Sequence, residues 1–382
     1  MGRVARLLTF GLVVVIVILG LLWLFRGEAL RLFGISFDTG AATQTALDVP
    51  PGYRADVFAA GLDAPRFRAV SGDGVLFVAD PGAGRVLALP DQDADGRADE
   101  TIAVGEGYDL AHSLAFEADG SLLVAGSGTL YRLRLDERHR ETAREEVATY
   151  PRGGQHSTRT VVVMPDGSLL LSLGSSCNVC WEEDERRATI FSITPDGASW
   201  RMVMRGLRNA VGLAVDPATG TAWATNNGRD MLGDDSPPET LYRVVDGADA
   251  GWPRCHAGHI VDPEFGAQPA PSSGALACEG VAAPAATFQA HMAPLGLAFW
   301  EDHVVIAFHG SWNRSTKVGY DVRWLPWDDG PRGPEEVLAS GFLDPATGDA
   351  SGRPAGVQVG ADGALYVSDD KGGFIYRIAR AS

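Results

Sequence analysis

A short pattern that recurs six times constrains the fold of this chain more than any other feature. Each copy consists of a hydrophobic strand, a tight turn that is usually Asp-Gly, and a second strand rich in β-formers. The turns start near Asp73, Asp119, Asp166, Thr219, Glu301 and Asp362. Asp-Gly supplies the positive φ that a two-residue hairpin requires. Six such repeats predict an all-β protein, a six-bladed β-propeller whose blades surround a central channel.

The longest interval between turns separates Thr219 from Glu301. It is long enough to hold the fourth blade and an insertion at about residues 251–285, which is rich in Pro and Gly. We expect the last strand, which begins at Phe374, to pair with a strand near Tyr53. That pairing would close the ring of blades.

The N-terminus predicts a membrane segment. Residues 7–25 carry no charge and are flanked by arginines, which suits a single helix across a ~30 Å hydrocarbon core. We therefore interpret residues 1–26 as an uncleaved signal anchor, 27–50 as a linker and 51–382 as the propeller. The predicted location is the inner membrane, crossed once, with the catalytic domain in the periplasm.

The charge of the chain excludes some partners. The formal net charge is −17, so nucleic acid, which needs a basic face, is not an expected ligand. Lysine occurs only at positions 317 and 371, so a small anionic ligand would need local arginines or a metal. The one helix-like stretch, residues 136–146, is strongly charged, and we interpret it as a solvated loop or a short surface helix.

Four cysteines form an even set in a chain predicted to be exported, which favours disulfides. Cys177 and Cys180 could form a redox pair, half of a zinc site or a local bridge. Haem attachment is excluded because Trp181 stands where a haem site needs His. Zinc is weakly indicated because no second Cys-x-x-Cys exists. The favoured pairs are Cys177–Cys180 and Cys255–Cys278.

Polar residues recur at nearly one position of the repeat, before the turn. They are His112, His156, Arg208 and Arg353. Because these titratable side chains stand at nearly the same position of successive repeats, we predict that they converge near the axis of the propeller. A histidine alone is more often a hydrogen-bonded structural residue than a base, but the matching arginines favour a site. The fourth repeat adds a charged loop, NNGRDMLGDDSPPE.

In a separate acidic loop, the carboxylate residues have the spacing that is typical of calcium-binding loops. In DQDADGRAD the carboxylates fall at Asp91, Asp93, Asp95 and Asp99. The twelfth position is Ile102 instead of Glu, so an EF-hand loop is incomplete. A structural calcium site is favoured over a solvated acidic turn.

Several ordered motifs together resemble one enzyme family. GGQHSTRT, GLRNAVGLA, NNGRDMLGDD, HGSWNR and GRPAGVQVGADGALYVSDD are similar to segments of the soluble glucose/sorbosone dehydrogenases, and more similar to the sorbosone-dehydrogenase-like branch. The resemblance spans about residues 45–380. It implies a six-bladed propeller that uses pyrroloquinoline quinone (PQQ) and calcium.

The resemblance assigns roles by position. His156 matches the general base that takes the proton of the sugar's anomeric hydroxyl while hydride passes to the quinone; an imidazole suits this because its pKa lies near working pH. Arg208 matches the arginine at the reacting quinone oxygen, where a fixed cation acts most strongly in the transition state. Asn209 and Gln155 fall at cofactor-binding positions.

Gly228 and Arg229 match the residues whose carbonyl oxygens hold the cofactor's calcium, although the family usually has Pro at the second position. Arg353 matches one carboxylate-binding arginine, but the second arginine of the glucose enzyme is replaced here by Ala355. A tricarboxylate in an acidic protein needs several cations, because burying an unpaired carboxylate is costly. Candidates for the missing cation and for stacking on the flat cofactor are Arg314, Lys317 and Trp312.

The sequence thus predicts a quinoprotein dehydrogenase that oxidises a sugar or a sugar-derived aldehyde, with a respiratory quinone or a cytochrome as acceptor. Two other functions remain open. A calcium-dependent lactonase would need acidic and Asn ligands that converge in the channel. A non-catalytic binding propeller would need aromatic or apolar channel residues.

Overall fold

The computed structural model describes residues 47–381, which consist of strands and connecting turns. In chain order the strands of the first half are β1 (Tyr53–Ala60), β2 (Arg68–Val70), β3 (Leu76–Asp80), β4 (Arg85–Leu89), β5 (Ile102–Glu106), β6 (Ser113–Phe116), β7 (Leu122–Ala125), β8 (Thr129–Leu135), β9 (Glu141–Thr149), β10 (Arg159–Val163), β11 (Leu169–Leu173), β12 (Thr189–Ile193) and β13 (Trp200–Arg205). Those of the second half are β14 (Leu213–Val215), β15 (Ala222–Asn226), β16 (Glu239–Arg243), β17 (Ala248–Asp249), β18 (Cys255–His256), β19 (Ile260–Val261), β20 (Ala286–Phe288), β21 (Pro294–Trp300), β22 (His303–Phe308), β23 (Asp321–Pro326), β24 (Glu336–Ala339), β25 (Pro354–Val359), β26 (Leu365–Asp369) and β27 (Phe374–Arg380).

Six sheets form the blades, as the repeat predicted. Their orders are β2-β3-β4-β5, β6-β7-β8-β9, β10-β11-β12-β13-β17, β14-β15-β16-β20, β21-β22-β23-β24 and β25-β26-β27-β1. In the last blade β1 pairs antiparallel with β27, from Tyr53 opposite Arg380 to Ala60 opposite Phe374. The predicted closure of the ring by the two ends of the propeller is therefore confirmed. The short hairpin β18–β19 lies in the insertion after the fourth blade's third strand.

The hydrophobic core lies between neighbouring blades. Six buried clusters each join two adjacent sheets. Phe77 of the first blade and Leu122 of the second, for example, are both fully buried in one cluster. Burying such a side chain stabilises the fold by about 1.5–3 kcal/mol. Each blade is thus held chiefly by the faces of its two neighbours.

The direction of the strands decides where a site can form. The innermost strand of every blade begins at one end of the channel, and the strand after it, running antiparallel, ends there. The loops that precede first strands and follow second strands therefore meet at that end. The Asp-Gly turns join the other ends of the same two strands, so they lie at the opposite end.

One local prediction was wrong. Residues 136–146 form neither a helix nor a loop along their whole length. A turn at Asp136 leads instead into β9. This strand pairs with β8, Leu133 lying opposite Arg144, and most of its side chains are exposed. Pairing with the blade's edge outweighed the charged composition that had suggested a solvated segment.

The prediction of an inner-membrane protein with a periplasmic domain is corrected here. No helix among residues 47–381 is long and apolar enough to cross a membrane. The predicted anchor at residues 1–26 and most of the predicted linker at 27–50 lie outside the described residues. We therefore withdraw that location.

Candidate active site at one end of the channel

A cavity of about 320 Å³ opens at the end of the channel where the inner strands begin. Seven of the residues that the sequence selected line it: Gln155, His156, Arg208, Asn209, Gly228, Trp312 and Arg353. They come from loops that precede a first strand or follow a second strand. The convergence predicted from the register of the repeats is thus present in the structure. His112 is the exception, since it is buried and lies outside the lining.

An apolar floor closes the inner side of this cavity. Val211, Leu295 and Ala355 are buried against one another, with Phe67 packed beside them. Ala355 is fully buried, so the position at which the glucose enzyme carries a second arginine belongs here to the floor. The cavity must obtain its cations elsewhere.

The ring of His156 is fixed by Ser175. Nδ1 of His156 lies 2.8 Å from Oγ and 3.2 Å from the carbonyl oxygen of Ser175. The Ser175 hydroxyl donates its one proton to the carbonyl of Cys177 at 2.7 Å, so it can only accept from the ring. Nδ1 of His156 therefore carries the hydrogen, and Nε2 keeps its lone pair available as a base.

The electrostatic surroundings keep this imidazole neutral. Burial first, and then the charge of Arg208, lower the pKa of His156 to about 3, and Arg159 acts in the same direction. This pKa lies below the value near working pH that the sequence led us to expect, so without a bound anion the ring is unprotonated throughout the neutral pH range.

Arg208 is buried and held on three sides. Its Nε donates to the carbonyl of Asn178 at 3.0 Å, and one terminal nitrogen donates to Oδ1 of Asn178 at 2.9 Å. The same nitrogen forms an ion pair with Asp230 at 2.6 Å. The other terminal nitrogen donates to the carbonyl of Asn227 at 3.4 Å. A guanidinium held in this way is a preorganised cation, which costs no reorganisation when charge develops nearby.

A glycine allows the histidine and the amide to approach one another. A Cβ at Gly174, just after β11, would lie 2.6 Å from Cβ of His156 and 2.7 Å from Oδ1 of Asn209. Only glycine fits between these two residues without displacing them. The backbone of Asn209 is fixed in turn by Asn226, whose Oδ1 accepts from the Asn209 N–H at 3.1 Å.

Arg353 is a cation with neutral acceptors only. Its Nε donates to the carbonyl of His309 and a terminal nitrogen to that of Gly310, both at 3.0 Å. Among the described residues no carboxylate forms an ion pair with it. Its charge is therefore uncompensated at the cavity, which suits binding of an anion.

The sequence analysis did not identify a second cation of this cavity, Arg66, in addition to Arg353. Arg66 lines the cavity and pairs with Asp370, which also accepts from Nε2 of His309 at 2.9 Å. Burial lowers the pKa of His309 to about 4. The signal was present, because Arg66 precedes the turn at Asp73 by the same distance as His112 precedes its own turn.

The side of the cavity around Gly228 was also only partly predicted. The lining includes Glu239, which is buried and accepts from the backbone N–H of Gly228 at 2.6 Å and that of Ala293 at 3.3 Å. Burial raises the pKa of Glu239 to about 7. Asn227 beside Gly228 has a buried Oδ1 that no described group contacts by a hydrogen bond. An unpartnered amide oxygen next to a backbone carbonyl is a donor set suited to a hard cation.

Three of the predicted residues point elsewhere. Arg314 binds the carbonyl of Asp234 and the carboxylate of Asp235, and Lys317 donates to the carbonyl of Gly348. Neither lines the cavity. The side chain of Arg229 is buried in ion pairs with Asp262 and Glu264, which anchor the insertion, so only its backbone could serve the cavity.

The remaining predicted groups lie away from the cavity or beside it. Carboxylate oxygens of Asp91, Asp93 and Asp99 lie within 4.8 Å of one another, while Asp95 instead accepts from the N–H of Arg97. The structure contains the disulfides Cys177–Cys180 and Cys255–Cys278, as predicted. The first of them closes the loop that contains Asn178, a hydrogen-bond partner of Arg208.

The fold and the cavity together define a class of protein, a six-bladed propeller that gathers an imidazole, guanidinium groups and carboxamides at one end of its channel. Comparison with models of known families identifies the family itself. Residues 47–381 match the TrAA12-like model, and the chain belongs to the TrAA12-like family. The resemblance seen in the motifs is confirmed at family level, and the sorbosone branch stays a prediction.

Similar proteins include a named dehydrogenase and an uncharacterized protein. A pyrroloquinoline quinone-dependent sugar dehydrogenase from Hypocrea jecorina is 26% identical over 390 residues, covering 87% of this chain and 89% of that protein. An uncharacterized protein from Borreliella burgdorferi is 30% identical over 238 residues, covering 58% of this chain and 60% of that protein. The match thus spans less than two thirds of the Borreliella protein.

Two solved structures share the fold. The holo form of the pyranose dehydrogenase PQQ domain from Coprinopsis cinerea superposes with a TM-score of 0.77 at 23% identity, covering 90% of this chain and 99% of that one. A calcium structure of the family AA12 enzyme from Trichoderma reesei gives 0.77 at 24% identity, covering 90% and 100%. At these identities the likeness is one of fold.

Proposed function

We propose that this protein is a PQQ- and calcium-dependent dehydrogenase that oxidises a sugar or a sugar-derived aldehyde in the cavity at the polar end of its channel. The observation that carries the proposal is the state of His156. Its Nδ1 hydrogen is committed to Ser175, and Nε2 is left as a proton acceptor beside a fixed cation, Arg208. The names of the relatives support the cofactor and the substrate class.

The residues present fit such a cofactor. A cavity of about 320 Å³ falls in the range of small-molecule sites. Arg353 offers a guanidinium without a carboxylate partner, and Arg66 adds a second cation. These charges suit the carboxylates of PQQ, which would otherwise be costly to bury. Trp312, 68% exposed at the rim, is free to cover the open face of a flat ligand.

Calcium would bind beside Gly228. We expect its ligands to include the backbone carbonyl oxygens of Gly228 and Arg229, with the unpartnered Oδ1 of Asn227 as a further donor. A Cβ at residue 228 would lie 3.0 Å from Cγ of Pro237, so a larger residue would disturb this segment. We likewise propose a structural calcium ion at Asp91, Asp93 and Asp99.

Each group of the chain has a separate task. His156 takes the proton from the sugar's anomeric hydroxyl at Nε2. PQQ, when bound, would supply the two-electron acceptor for the hydride of the anomeric carbon. Arg208 holds positive charge where negative charge grows, which lowers the barrier more than it strengthens ground-state binding. The floor formed by Val211 and Leu295 excludes water from below. A quinone or a cytochrome would then remove the electrons.

A lactonase is less well supported. Both oxygens of Glu239 accept backbone N–H groups, and Asp230 is paired with Arg208. Among the described residues the cavity contains no cluster of three His, Cys, Asp or Glu ligand atoms. The acidic groups are therefore committed to the protein and do not form an open metal site.

The test is reconstitution of the full chain with PQQ and calcium, followed by a screen of aldoses and sugar-derived aldehydes with an artificial electron acceptor. We expect turnover only when both additions are present, and loss of turnover with a calcium chelator. Hydrolysis of lactones with calcium alone, or no PQQ-dependent oxidation of any sugar, would refute the proposal.

A further inference from the structure

The four-residue loop closed by the disulfide Cys177–Cys180 lies between the histidine and the arginine of the cavity. It follows β11, accepts hydrogen bonds directly from Arg208, and is linked to His156 through the hydroxyl of Ser175. The sequence predicted a covalent bridge here and no further role. Its contacts indicate a more specific one.

Asn178, inside this loop, uses its side chain and its backbone to hold Arg208. Its Oδ1 accepts from Arg208 at 2.9 Å and its carbonyl oxygen accepts from Nε of Arg208 at 3.0 Å. The same Oδ1 accepts from the backbone N–H of Asp230 at 2.9 Å, and Nδ2 donates to the carbonyl of Asp230 at 3.1 Å. Asn178 therefore fixes the guanidinium and the loop that carries its ion-pair partner.

The other end of the loop fixes the histidine. The carbonyl of Cys177 accepts the Ser175 hydroxyl hydrogen, and this contact makes Ser175 an acceptor for Nδ1 of His156. Trp252, from the insertion, donates from Nε1 to the carbonyl of Asn178 at 3.2 Å and supports the loop from outside. One short segment thus sets the orientation of the base and of the cation.

We propose that Asn178 is a positioning residue for Arg208, and that the Cys177–Cys180 disulfide holds its loop in the conformation that aligns both Arg208 and His156. This inference rests on the proposed function. Asn178 does not line the cavity and is not expected to touch the substrate or cofactor. It acts by keeping Arg208 in place, and small displacements of such a group are costly to catalysis.

Three substitutions in the loop separate positioning from general stability. Asn178→Leu removes the side-chain acceptor, Asn178→Asp keeps it, and Val179→Ala changes the same loop without touching Arg208. We expect Asn178→Leu to lower kcat by roughly 10- to 100-fold with little change in KM for the sugar. Asn178→Asp, which keeps the acceptor for Arg208 but cannot donate to the carbonyl of Asp230, should recover part of kcat, and Val179→Ala should resemble the unmodified protein.

The disulfide has a matched control in the same molecule. The double variant Cys177→Ser, Cys180→Ser should lose kcat as Asn178→Leu does. The variant Cys255→Ser, Cys278→Ser removes the other bridge, which closes the insertion, and should retain more kcat.

A second readout needs no cofactor. In the PQQ-free protein, nitrogen NMR of Arg208 should show resolved terminal guanidinium resonances, because its rotation is hindered. These should broaden in Asn178→Leu and return in Asn178→Asp. Unchanged resonances together with unchanged kcat would overturn the positioning role. If the unmodified protein oxidises no sugar with PQQ, the proposed function fails, and the NMR comparison still decides what Asn178 does.

Discussion

The same six inner strands run between the two ends of the central channel, yet the side chains at those ends differ sharply. At one end a cavity of about 320 Å³ is lined by His156, Arg208 and Arg353 among other polar groups. At the other end a cavity of about 410 Å³ is lined mostly by aliphatic and aromatic residues of those strands. Among its described lining residues, Arg68 is the single charged one.

The difference follows from the connections. The apolar end is joined by tight turns such as those at Asp119 and Asp166, whose carboxylates accept from the N–H two residues on and so serve the turn itself. The polar end is joined by longer loops, which have room for side chains aimed at the axis. In this propeller, chemistry can accumulate where the loops are long.

The largest effect is expected when the proposed base, His156, is removed from the polar end. His156→Gln should lower kcat by roughly 10²–10⁴-fold, the usual contribution of a general base, while PQQ uptake is retained. The matched control is Gln358→Ala, which alters the lining of the apolar end. Steady-state kinetics and an absorbance titration with PQQ measure both effects. Equal loss of kcat in the two variants would remove the distinction between the ends.

The second prediction concerns the floor between the two cavities. Ala355→Arg restores the arginine of the glucose enzyme, but at a fully buried position beside Val211 and Leu295. An unpaired buried charge should destabilise the protein by about 3–5 kcal/mol. Gln358→Arg, at a partly exposed position of the apolar end, should be nearly neutral. Urea unfolding measures the free energy of unfolding of both variants. If Ala355→Arg bound PQQ more tightly at unchanged stability, its new side chain would have to reach the cavity, against this prediction.

A smaller effect tests the cations of the polar end. Arg353→Gln removes a charge that has no carboxylate partner, so it leaves no orphaned anion and stability should hold. Loss of a hydrogen bond to a charged group, about 1.5–3 kcal/mol, should raise the Kd for PQQ roughly 10- to 150-fold. Arg314→Gln, outside the cavity, is the control. If both variants bind PQQ equally well, Arg353 is not a cofactor ligand.

The smallest expected effect concerns the way in which the free energy of unfolding depends on pH. Burial and the charges of Arg208 and Arg159 hold the pKa of His156 at about 3 in the folded protein, below its ordinary value of 6.5. Between these values the unfolded chain binds more protons, so this residue's contribution to stability falls as pH drops from about 6.5 towards 3. His156→Gln should therefore lose less stability than the unmodified protein between pH 7 and 4.5. Identical losses would mean that His156 has an ordinary pKa.

Much of the fold could be predicted because its signal is local. The Asp-Gly turns and the strands beside them depend on nearby residues, so six copies gave the blade number. The strand β9 was missed because its exposed side chains, Glu145 and Glu146 among them, resemble a solvated surface segment. Its strand character comes from pairing with β8, which no local pattern records.

The site residues that could be predicted are those that stand at the shared position of the repeat. His156, Arg208 and Arg353 stand at that register, and the structure brings them together. Arg314 was indistinguishable in sequence from a cofactor ligand, since its pairing with Asp235 depends on two loops 79 positions apart. Arg66 was overlooked although it occupies the register in the first blade.

The most direct test of the account is a crystal structure of this protein with PQQ and calcium. We predict the flat cofactor at the polar end, with its carboxylates on Arg353 and Arg66, a quinone oxygen at Arg208, and calcium beside Gly228. Electron density for PQQ at the apolar end, or a cofactor out of reach of both His156 and Arg208, would contradict it.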